Sequence, residues 1–217
     1  MGKYFGTDGF RGEANVDLTV EHAYKVGRFL GWYYGQKNPG ERCRVVIGKD
    51  TRRSSYMFEY SLVSGLTASG ADVFLLHVTT TPSVSYVVRT EGFHCGIMIS
   101  ASHNPYYDNG IKVINEKGEK LEEAVITEIE RYLDGKMEEL PLAKRDMIGR
   151  TVDFAAGRNR YIGYLISIAT RSFKNRKVAL DCANGSASAI AKNVFDALGA
   201  QTFVINNEPN GLNINTD

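Results

Sequence analysis

The sequence has few cysteines, and they lie far apart. There are three, Cys43, Cys95 and Cys182, an odd number with no C-x-x-C pair. This spacing excludes a disulfide framework and a cysteine-based zinc site. Each cysteine falls within an apolar run, so we expect three buried structural thiols.

Long hydrophobic runs and an excess of one charge are also absent. No stretch approaches the ~18 consecutive apolar residues of a membrane-spanning helix, and residues 1–6 do not form a charged-then-apolar signal region. The 217 residues include 26 Lys and Arg against 25 Asp and Glu, so no overall field attracts nucleic acid or an anionic membrane. We therefore expect a cytoplasmic protein that binds neither nucleic acid nor membranes.

The hydrophobic pattern that is present predicts alternating strands and helices. Strands are predicted over residues 44–49, 72–78, 95–99, 110–115, 177–181 and 201–205. Helices are predicted over residues 17–37, 81–92, 122–133, 153–172 and 187–198, with another that ends at residue 69. This alternation predicts an α/β fold, in which helices flank a layered parallel or mixed sheet.

The periodicity is lost between residues 134 and 151, where charged and small residues dominate. We predict a first α/β domain over residues 1–144, a linker over 145–152 and the start of a second α/β domain over 153–217. The second unit ends on a polar loop before a layer is complete. We therefore expect the chain to be the N-terminal part of a longer protein.

The strongest local signal is the segment Ser100-Ala101-Ser102-His103-Asn104-Pro105, directly after a continuous apolar strand. Ligands of parallel α/β sheets bind at the loops that leave the carboxyl ends of strands. Asn104-Pro105 stiffens the following turn, so that the Ser102 hydroxyl can be held in one direction. An ordinary polar turn is the alternative interpretation of these residues alone.

Three further segments carry glycines and cations near predicted strands. In residues 6–12, three glycines surround Arg11, which suits the close approach of a phosphate. Arg52 and Arg53 lie at a helix start, where anions are favoured. Lys112 faces away from its apolar neighbours on a strand. Each segment also has an ordinary structural interpretation when taken singly. The first is typical of a glycine turn, the second of a solvated helix cap and the third of a solvent-facing lysine.

Together these segments resemble the signature loops of the phosphohexomutase superfamily. The matching stretches are FGTDGFRG, GKDTR and ISASHNPYYDNGIKV, and SASHNP matches the phosphoserine motif of that family. The stretches KYFGTDGFRG, YYDNGIK, DCANGSAS and EPNGLNIN are most similar to the branch that acts on glucosamine phosphates. The likeness covers nearly the whole chain in the right order, with Phe10 where Ile or Leu is usual.

The resemblance implies roles for individual residues. Ser102 would be the phosphoserine and, through its phosphate, a ligand of Mg²⁺. His103 and Asn104 would contact that phosphate or flank the metal, and Arg11 and Lys112 would flank the reacting sugar hydroxyl, with Lys112 as acid or base. Contacts to the substrate or its phosphates are implied for Thr7, Asp8, Gly9, Arg52, Asn104 and Asn109.

The implied reaction passes through glucosamine 1,6-bisphosphate, so the implied partner is a small-molecule phosphosugar. The sequence does not decide whether the protein forms a homodimer. The family's Asp-Gly-Asp-x-Asp-Arg metal loop does not occur in the sequence. Its aspartate ligands, the sugar-selecting loop and the distal phosphate-binding loop would follow residue 217. We therefore expect this chain by itself to be inactive.

Three alternatives remain at this stage. A serine hydrolase is disfavoured because sequence neighbours such as Ser102 and His103 generally point in different directions and no G-x-S-x-G elbow occurs. A non-catalytic phosphosugar-binding module fits the same loops. A sibling mutase acting on glucose or mannose phosphates differs only in sugar selectivity.

Overall fold

The computed structural model describes residues 2–216 and contains a seven-stranded and a two-stranded sheet. The strands are β1 (Phe5–Gly6), β2 (Gly9–Glu13), β3 (Arg44–Lys49), β4 (Asp72–Val78), β5 (Cys95–Ile99), β6 (Asp108–Asn115), β7 (Thr151–Asp153), β8 (Lys177–Asp181) and β9 (Gln201–Ile205). The helices are α1 (Val20–Lys37), α2 (Arg53–Ala68), α3 (Thr81–Glu91), α4 (Glu123–Leu133), α5 (Ala155–Ser167) and α6 (Ala191–Ala197). Short 3₁₀ turns cover Arg145–Met147 and Ser186–Ala189.

The larger sheet is mixed, in the order β1-β2-β6-β5-β3-β4-β7. Strand β3 pairs in parallel with β4 and β5, and β7 pairs in parallel with β4. The pairs β1-β2, β2-β6 and β5-β6 are antiparallel. Strands β8 and β9 form a separate parallel pair. The predicted α/β fold with a mixed sheet is therefore confirmed.

Apolar side chains cover both faces of the seven-stranded sheet. On one face, α1, α2 and α4 pack against alternate strand residues that include Val45 and Ile47. On the other face, α3 packs against Val46, Leu76 and Met98. Because successive strand residues point to opposite faces, the continuous apolar strands can serve two helical layers.

Helix α5 joins the two predicted units. It packs against α3 and β4 of the first unit, and the Tyr86 and Tyr164 rings stack with centroids 4.6 Å apart. Within the predicted linker, residues 151–152 belong to β7, which extends the larger sheet at its edge. The domain boundaries themselves stay a prediction.

Two helical predictions differ from the structure. Helix α5 ends at Ser167, before the expected residue 172, and the helix predicted over 187–198 consists of a 3₁₀ turn followed by the shorter α6. Ser188 Oγ donates to the Gly185 carbonyl at 2.6 Å. A serine that bonds its local backbone in this way competes with α-helix formation.

The three cysteines are buried and free, as expected. Burial raises the pKa of the Cys43 thiol to about 12 and also raises that of Cys95. High thiol pKa values keep these groups protonated and unreactive at neutral pH. Of the helices in residues 2–216, none has both the length and the apolar character to cross a membrane.

Helices α1 and α2 approach closely because glycines line their contact. A Cβ atom added to Gly65 would lie 2.2 Å from the Tyr24 carbonyl oxygen, and one added to Gly27 would lie 2.5 Å from the Leu62 carbonyl oxygen. Both distances are far inside van der Waals contact. The helices would have to separate to admit a side chain at either position.

Replacing Gly65 with alanine is therefore expected to lower the free energy of unfolding by about 1–3 kcal/mol, the usual cost of overpacking a core. Gly35→Ala is the matched control, because nothing lies within 4 Å of a Cβ atom at that position of α1. It is expected to raise stability by up to about 1 kcal/mol through helix propensity. Urea unfolding of the two variants measures both changes, and equal effects would contradict the close helix contact.

Candidate active site

Ser102 lies in the loop between β5 and β6 with an exposed side chain. Its φ is 58°, in the left-handed region, which costs a non-glycine residue about 1–3 kcal/mol. The Ser102 amide donates to Ser100 Oγ at 3.0 Å, and Ser102 Oγ lies 3.4 Å from His103 Nδ1. The strained loop thus presents one hydroxyl group to solvent, beside an imidazole.

The Arg52 side chain lies beneath this loop and is fully buried. Its Nη1 group bonds the buried Asp50 carboxylate, and its Nη2 group donates to the carbonyls of Ser102 at 3.2 Å and Asn104 at 2.5 Å. The sequence implied Arg52 as a contact of substrate phosphate. The structure instead leaves its guanidinium no surface to offer a ligand, because Asp50 and the Ser102 loop enclose it.

The two asparagines of the predicted site also support the loop. Asn109 is fully buried, and its Nδ2 group donates to the hydroxyls of Ser54 at 2.8 Å and Ser55 at 2.9 Å. Asn104 Nδ2 donates to Asp108 Oδ2 at 2.9 Å. The first contact ties β6 to the start of α2, and the second closes the Ser102 loop.

A second polar cluster forms at the β1-β2 hairpin, which contains Thr7, Asp8 and Gly9. The Asp8 carboxylate forms ion pairs with Arg11 and, at 2.9 Å, with Lys112 Nζ. Gly9 has a φ of 94°, and a Cβ atom there would lie 2.5 Å from the Ile111 carbonyl oxygen. Glycine at position 9 therefore allows the hairpin to lie close enough to β6 for Asp8 to reach Lys112.

The two cations of this cluster keep the Asp8 carboxyl ionised. Burial raises the pKa of the Asp8 carboxyl, but the hydrogen bond from Lys112 and the charges of Lys112 and Arg11 outweigh it, so the pKa lies below its ordinary value. Asp8 is thus a carboxylate at neutral pH. Arg11 Nε is buried and has no hydrogen-bond partner within residues 2–216, whereas the Arg11 side chain as a whole is 27% exposed.

A cavity of about 430 Å³ opens beside this second cluster. Asp8, Gly9 and Lys112 form one wall, and the first turn of α3, with Thr81 and Pro82, forms another. Lys112 lies on the side of β6 opposite to Ile111 and Val113, which belong to the core, as the alternation predicted. The cavity is large enough for a small polar molecule.

Strand β6 connects the two clusters. Arg11 lies opposite Gly110 in the antiparallel pairing of β2 with β6, and the Gly110 carbonyl accepts from the Ser100 amide at 2.9 Å. A Cβ atom at Gly110 would lie 2.8 Å from the Ser100 carbonyl oxygen and 3.0 Å from Arg11 Cγ. The structure thus brings the predicted residues into two adjacent groups. Their joint action on one substrate stays a prediction.

Sequence reasoning missed Asp50 and the contacts from the second unit. Asp50 could have been found from its position at the carboxyl end of β3, two residues before Arg52. Thr51 Oγ1 donates to the Asn184 carbonyl at 2.7 Å, and Asn215 Nδ2 donates to the His103 carbonyl at 3.2 Å. These contacts join residues more than 100 positions apart, which local patterns do not reveal.

In the part of the chain that the structure describes, no three His, Cys, Asp or Glu side chains are grouped to hold an ion. The side chains of Ser102 and His103 do not point apart as expected, because Oγ and Nδ1 lie 3.4 Å from each other, but the arrangement still does not favour a hydrolase. The only hydrogen bond of the His103 ring within residues 2–216 is to Ser102, so no carboxylate orients it as a base.

Comparison with known proteins identifies the class. The chain belongs to the phosphoglucomutase/phosphomannomutase family, whose alpha/beta/alpha domain I matches residues 2–139. This confirms the resemblance seen in the sequence. Within the family, the chain is similar to proteins named phosphoglucosamine mutase. It is 71% identical to that of Lachnospira eligens over 217 residues, 100% of this chain and 48% of the relative.

A second relative with that name, from Lachnoclostridium phytofermentans, is 72% identical over 217 residues, again 100% of this chain and 48% of the relative. A third, from Streptococcus pneumoniae, is 50% identical over 215 residues, 99% of this chain and 47% of the relative. The chain thus spans about half the length of the curated relatives it matches.

Solved structures support the fold. A phosphoglucomutase/phosphomannomutase family protein from Burkholderia thailandensis superposes with a TM-score of 0.80 at 22% identity, over 98% of this chain and 46% of that one. The Paramecium phosphoglucomutase parafusin, in its open form, gives a TM-score of 0.69 at 19% identity, over 97% and 44%. Both chains share the mixed α/β architecture described above.

Proposed function

We propose that the chain is the phosphoserine-bearing part of a phosphoglucosamine mutase, which interconverts glucosamine 6-phosphate and glucosamine 1-phosphate. The observation that carries this proposal is the identity of 71% over all 217 residues to a protein of that name. Because the match covers the whole chain, it includes the Ser102 loop and the β1-β2 hairpin. The exposed Ser102 hydroxyl on a fixed loop supports its role as the phosphoryl carrier.

The proposed reaction has two transfers. First, the bond between phosphorus and Ser102 Oγ breaks as a bond forms to the free hydroxyl oxygen of glucosamine 6-phosphate. The resulting 1,6-bisphosphate reorients, and its other phosphoryl group returns to Ser102. Phosphoryl transfer requires positioning and neutralisation of charge more than covalent assistance from the protein.

Two cations are proposed to act on the reacting hydroxyl group. Arg11 and Lys112 are held by Asp8, and the Arg11 guanidinium, whose side chain is 27% exposed, can bind a phosphate or hydroxyl oxygen. Thr7 and Gly9, at the tip of the same hairpin, are proposed to lie along the sugar. Of the residues beside the carrier, His103 is proposed to contact its phosphate, and Asn104 and Asn109 to support its loop.

We further propose that the whole protein uses Mg²⁺. Since residues 2–216 do not form a metal site, the phosphate on Ser102 would be the ligand that these residues contribute, and the remaining ligands would come from elsewhere in the protein. A bound Mg²⁺ would neutralise charge on the transferred phosphoryl group. A cytoplasmic location and a homodimer stay predictions.

Sugar selectivity is the sharpest test of the proposed function. The whole protein is expected to convert glucosamine 6-phosphate with a kcat/KM at least about tenfold above those for glucose and mannose phosphates, a difference of about 1.4 kcal/mol in transition-state binding. Chain 1–217 alone, assayed at the same concentration, is expected to show no turnover. A preference for glucose or mannose phosphate would assign a sibling mutase. Turnover by chain 1–217 would contradict the proposal that the rest of the protein supplies part of the active site.

A further inference from the structure

We propose that the buried Asp50–Arg52 pair is a positioning device for the reaction, acting through the backbone of the Ser102 loop rather than on the substrate. This inference rests on the proposed function, because it takes Ser102 as the phosphoryl carrier. It replaces the expectation that Arg52 binds a substrate phosphate.

The first argument is the number of loop carbonyls that Arg52 binds. Its Nη2 group is 3.2 Å from the Ser102 carbonyl oxygen, 2.5 Å from that of Asn104 and 3.5 Å from that of Pro105. A planar guanidinium fixes the direction of its donors, which an ammonium group does not. One side chain therefore determines the path of the backbone on both sides of His103.

The second argument is that Arg52 is itself held in place. Its Nη1 group and its own amide both bond the Asp50 carboxylate, and Ser55 Oγ donates to the same carboxylate at 2.6 Å. Asp50 and Arg52 both have 0% exposure. The charges neutralise each other, so Arg52 is kept in position even when no ligand is present.

The third argument is the strain in the loop. Ser102 has a φ of 58°, which an L residue adopts only where its surroundings enforce it. The backbone at this residue sets the direction of the Ser102 side chain, and through it the direction of the transferred phosphoryl group. If the carbonyls of the loop were released, the backbone could relax and the phosphoryl group would move away from the reacting hydroxyl.

The loop is also held from the second unit. Asn215 Nδ2 donates to the His103 carbonyl at 3.2 Å, so the carbonyls of three consecutive residues each have a side-chain donor. Arg52 supplies the donors for residues 102 and 104 from within the first unit. A loop fixed at three successive peptide groups is suited to repeated transfer at one geometry.

The test is Arg52→Lys in the whole protein. It keeps a positive charge beside Asp50 but loses the planar fork, so kcat is expected to fall about 10²-fold while KM changes by less than about threefold. Hydrogen exchange at the Asn104 and Asp108 amides, which donate to the Ala101 and Pro105 carbonyls in the loop, is expected to accelerate about tenfold or more.

Arg28→Lys is the matched control. Arg28 is equally buried and donates to the Leu140 carbonyl at 2.5 Å and the Pro141 carbonyl at 3.3 Å, away from the Ser102 loop. Both variants are expected to lower the melting temperature, but only Arg52→Lys is expected to lower kcat of the folded enzyme. If the role of Arg52 were purely structural, the two substitutions would lower the melting temperature and leave kcat of the folded enzyme alike in both variants.

Wild-type kcat and wild-type loop exchange in Arg52→Lys would overturn the inference. If that variant does not fold, Asp50→Asn decides, because Asn is isosteric but replaces one charged acceptor of the Asp50 carboxylate with an amide donor, so the bonds that hold Arg52 are weakened. Faster loop exchange with a lower kcat would then support the inference, and wild-type values would overturn it. The carrier is tested separately through Ser102→Ala, so a failure of the proposed function is distinguishable from a failure of this inference.

Discussion

Replacing Ser102 with alanine is expected to abolish mutase activity of the whole protein and to leave its fold intact. Ser102 is the proposed covalent carrier, so its removal eliminates the pathway rather than one contribution to its rate. The expected loss exceeds the ~10⁴-fold that removal of a single acid, base or electrostatic group produces. Steady-state assays with glucosamine 6-phosphate and a catalytic amount of 1,6-bisphosphate measure this loss.

The fold should survive because the Ser102 hydroxyl has little structural role. Its side chain is exposed, and its one contact within residues 2–216 is the 3.4 Å approach of His103 Nδ1. Loss of one such hydrogen bond costs about 1 kcal/mol or less at an exposed position. The melting temperature of Ser102→Ala should therefore stay within a few degrees of that of the wild type.

Mass spectrometry locates the phosphate independently of activity. The wild-type protein should carry it on Ser102 and not on Ser100, because Ser100 is buried and its Oγ accepts the Ser102 amide. Near wild-type turnover by Ser102→Ala would refute the carrier assignment. So would a phosphate that maps to Ser100.

Much of the fold could be predicted because each element has its own local signal. Strands β3, β4, β5, β8 and β9 have the predicted bounds, since each is a short apolar run closed by polar residues. Helix α1 lies within the predicted range 17–37 and begins after Thr19, whose hydroxyl accepts from the His22 amide. Strands β1, β2 and β7 were not predicted. Strands β1 and β7 have two and three residues, too few for a pattern with a period of two. Strand β2 has five residues, but two are glycines and its one apolar side chain is Phe10.

The site could be predicted less completely, for a physical reason. The sequence located the Ser102 loop because ligand loops follow the carboxyl ends of strands. It implied a ligand-binding role for Arg52 because an arginine at a helix start is typical of anion sites. Burial decides between anion binding and structural support, and burial depends on the Asp50 carboxylate and on loop carbonyls about 50 residues away. Local sequence does not encode that environment.

Removal of either cation at the second cluster is expected to slow phosphoryl transfer by about 10²- to 10⁴-fold without removing the phosphate from Ser102. The variants are Lys112→Ala and Arg11→Ala in the whole protein. Both side chains are paired with Asp8 and are proposed to act on the hydroxyl group that accepts the phosphoryl group. Single-turnover assays with phosphorylated enzyme isolate this transfer from substrate binding.

The control is Lys117→Ala, in the exposed turn after β6, which is expected to change the rate by less than about twofold. The two cations differ in one respect that sharpens the test. Both contact Asp8, but Arg11 does so through a planar guanidinium and Lys112 through an ammonium group.

Substitutions that restore the positive charge should therefore recover different fractions of the transfer rate at positions 11 and 112. Arg11→Lys keeps a charge beside Asp8 but loses the planar guanidinium, so it should recover only part of the rate lost in Arg11→Ala. Lys112→Arg should recover more of the rate lost in Lys112→Ala, if positive charge is the main contribution at that position. Equal and complete recovery by both would show that the planar guanidinium of Arg11 contributes nothing beyond its charge. Wild-type transfer rates in both alanine variants would show that the β1-β2 hairpin does not take part in the reaction. Its proposed role depends on the two cations that Asp8 holds.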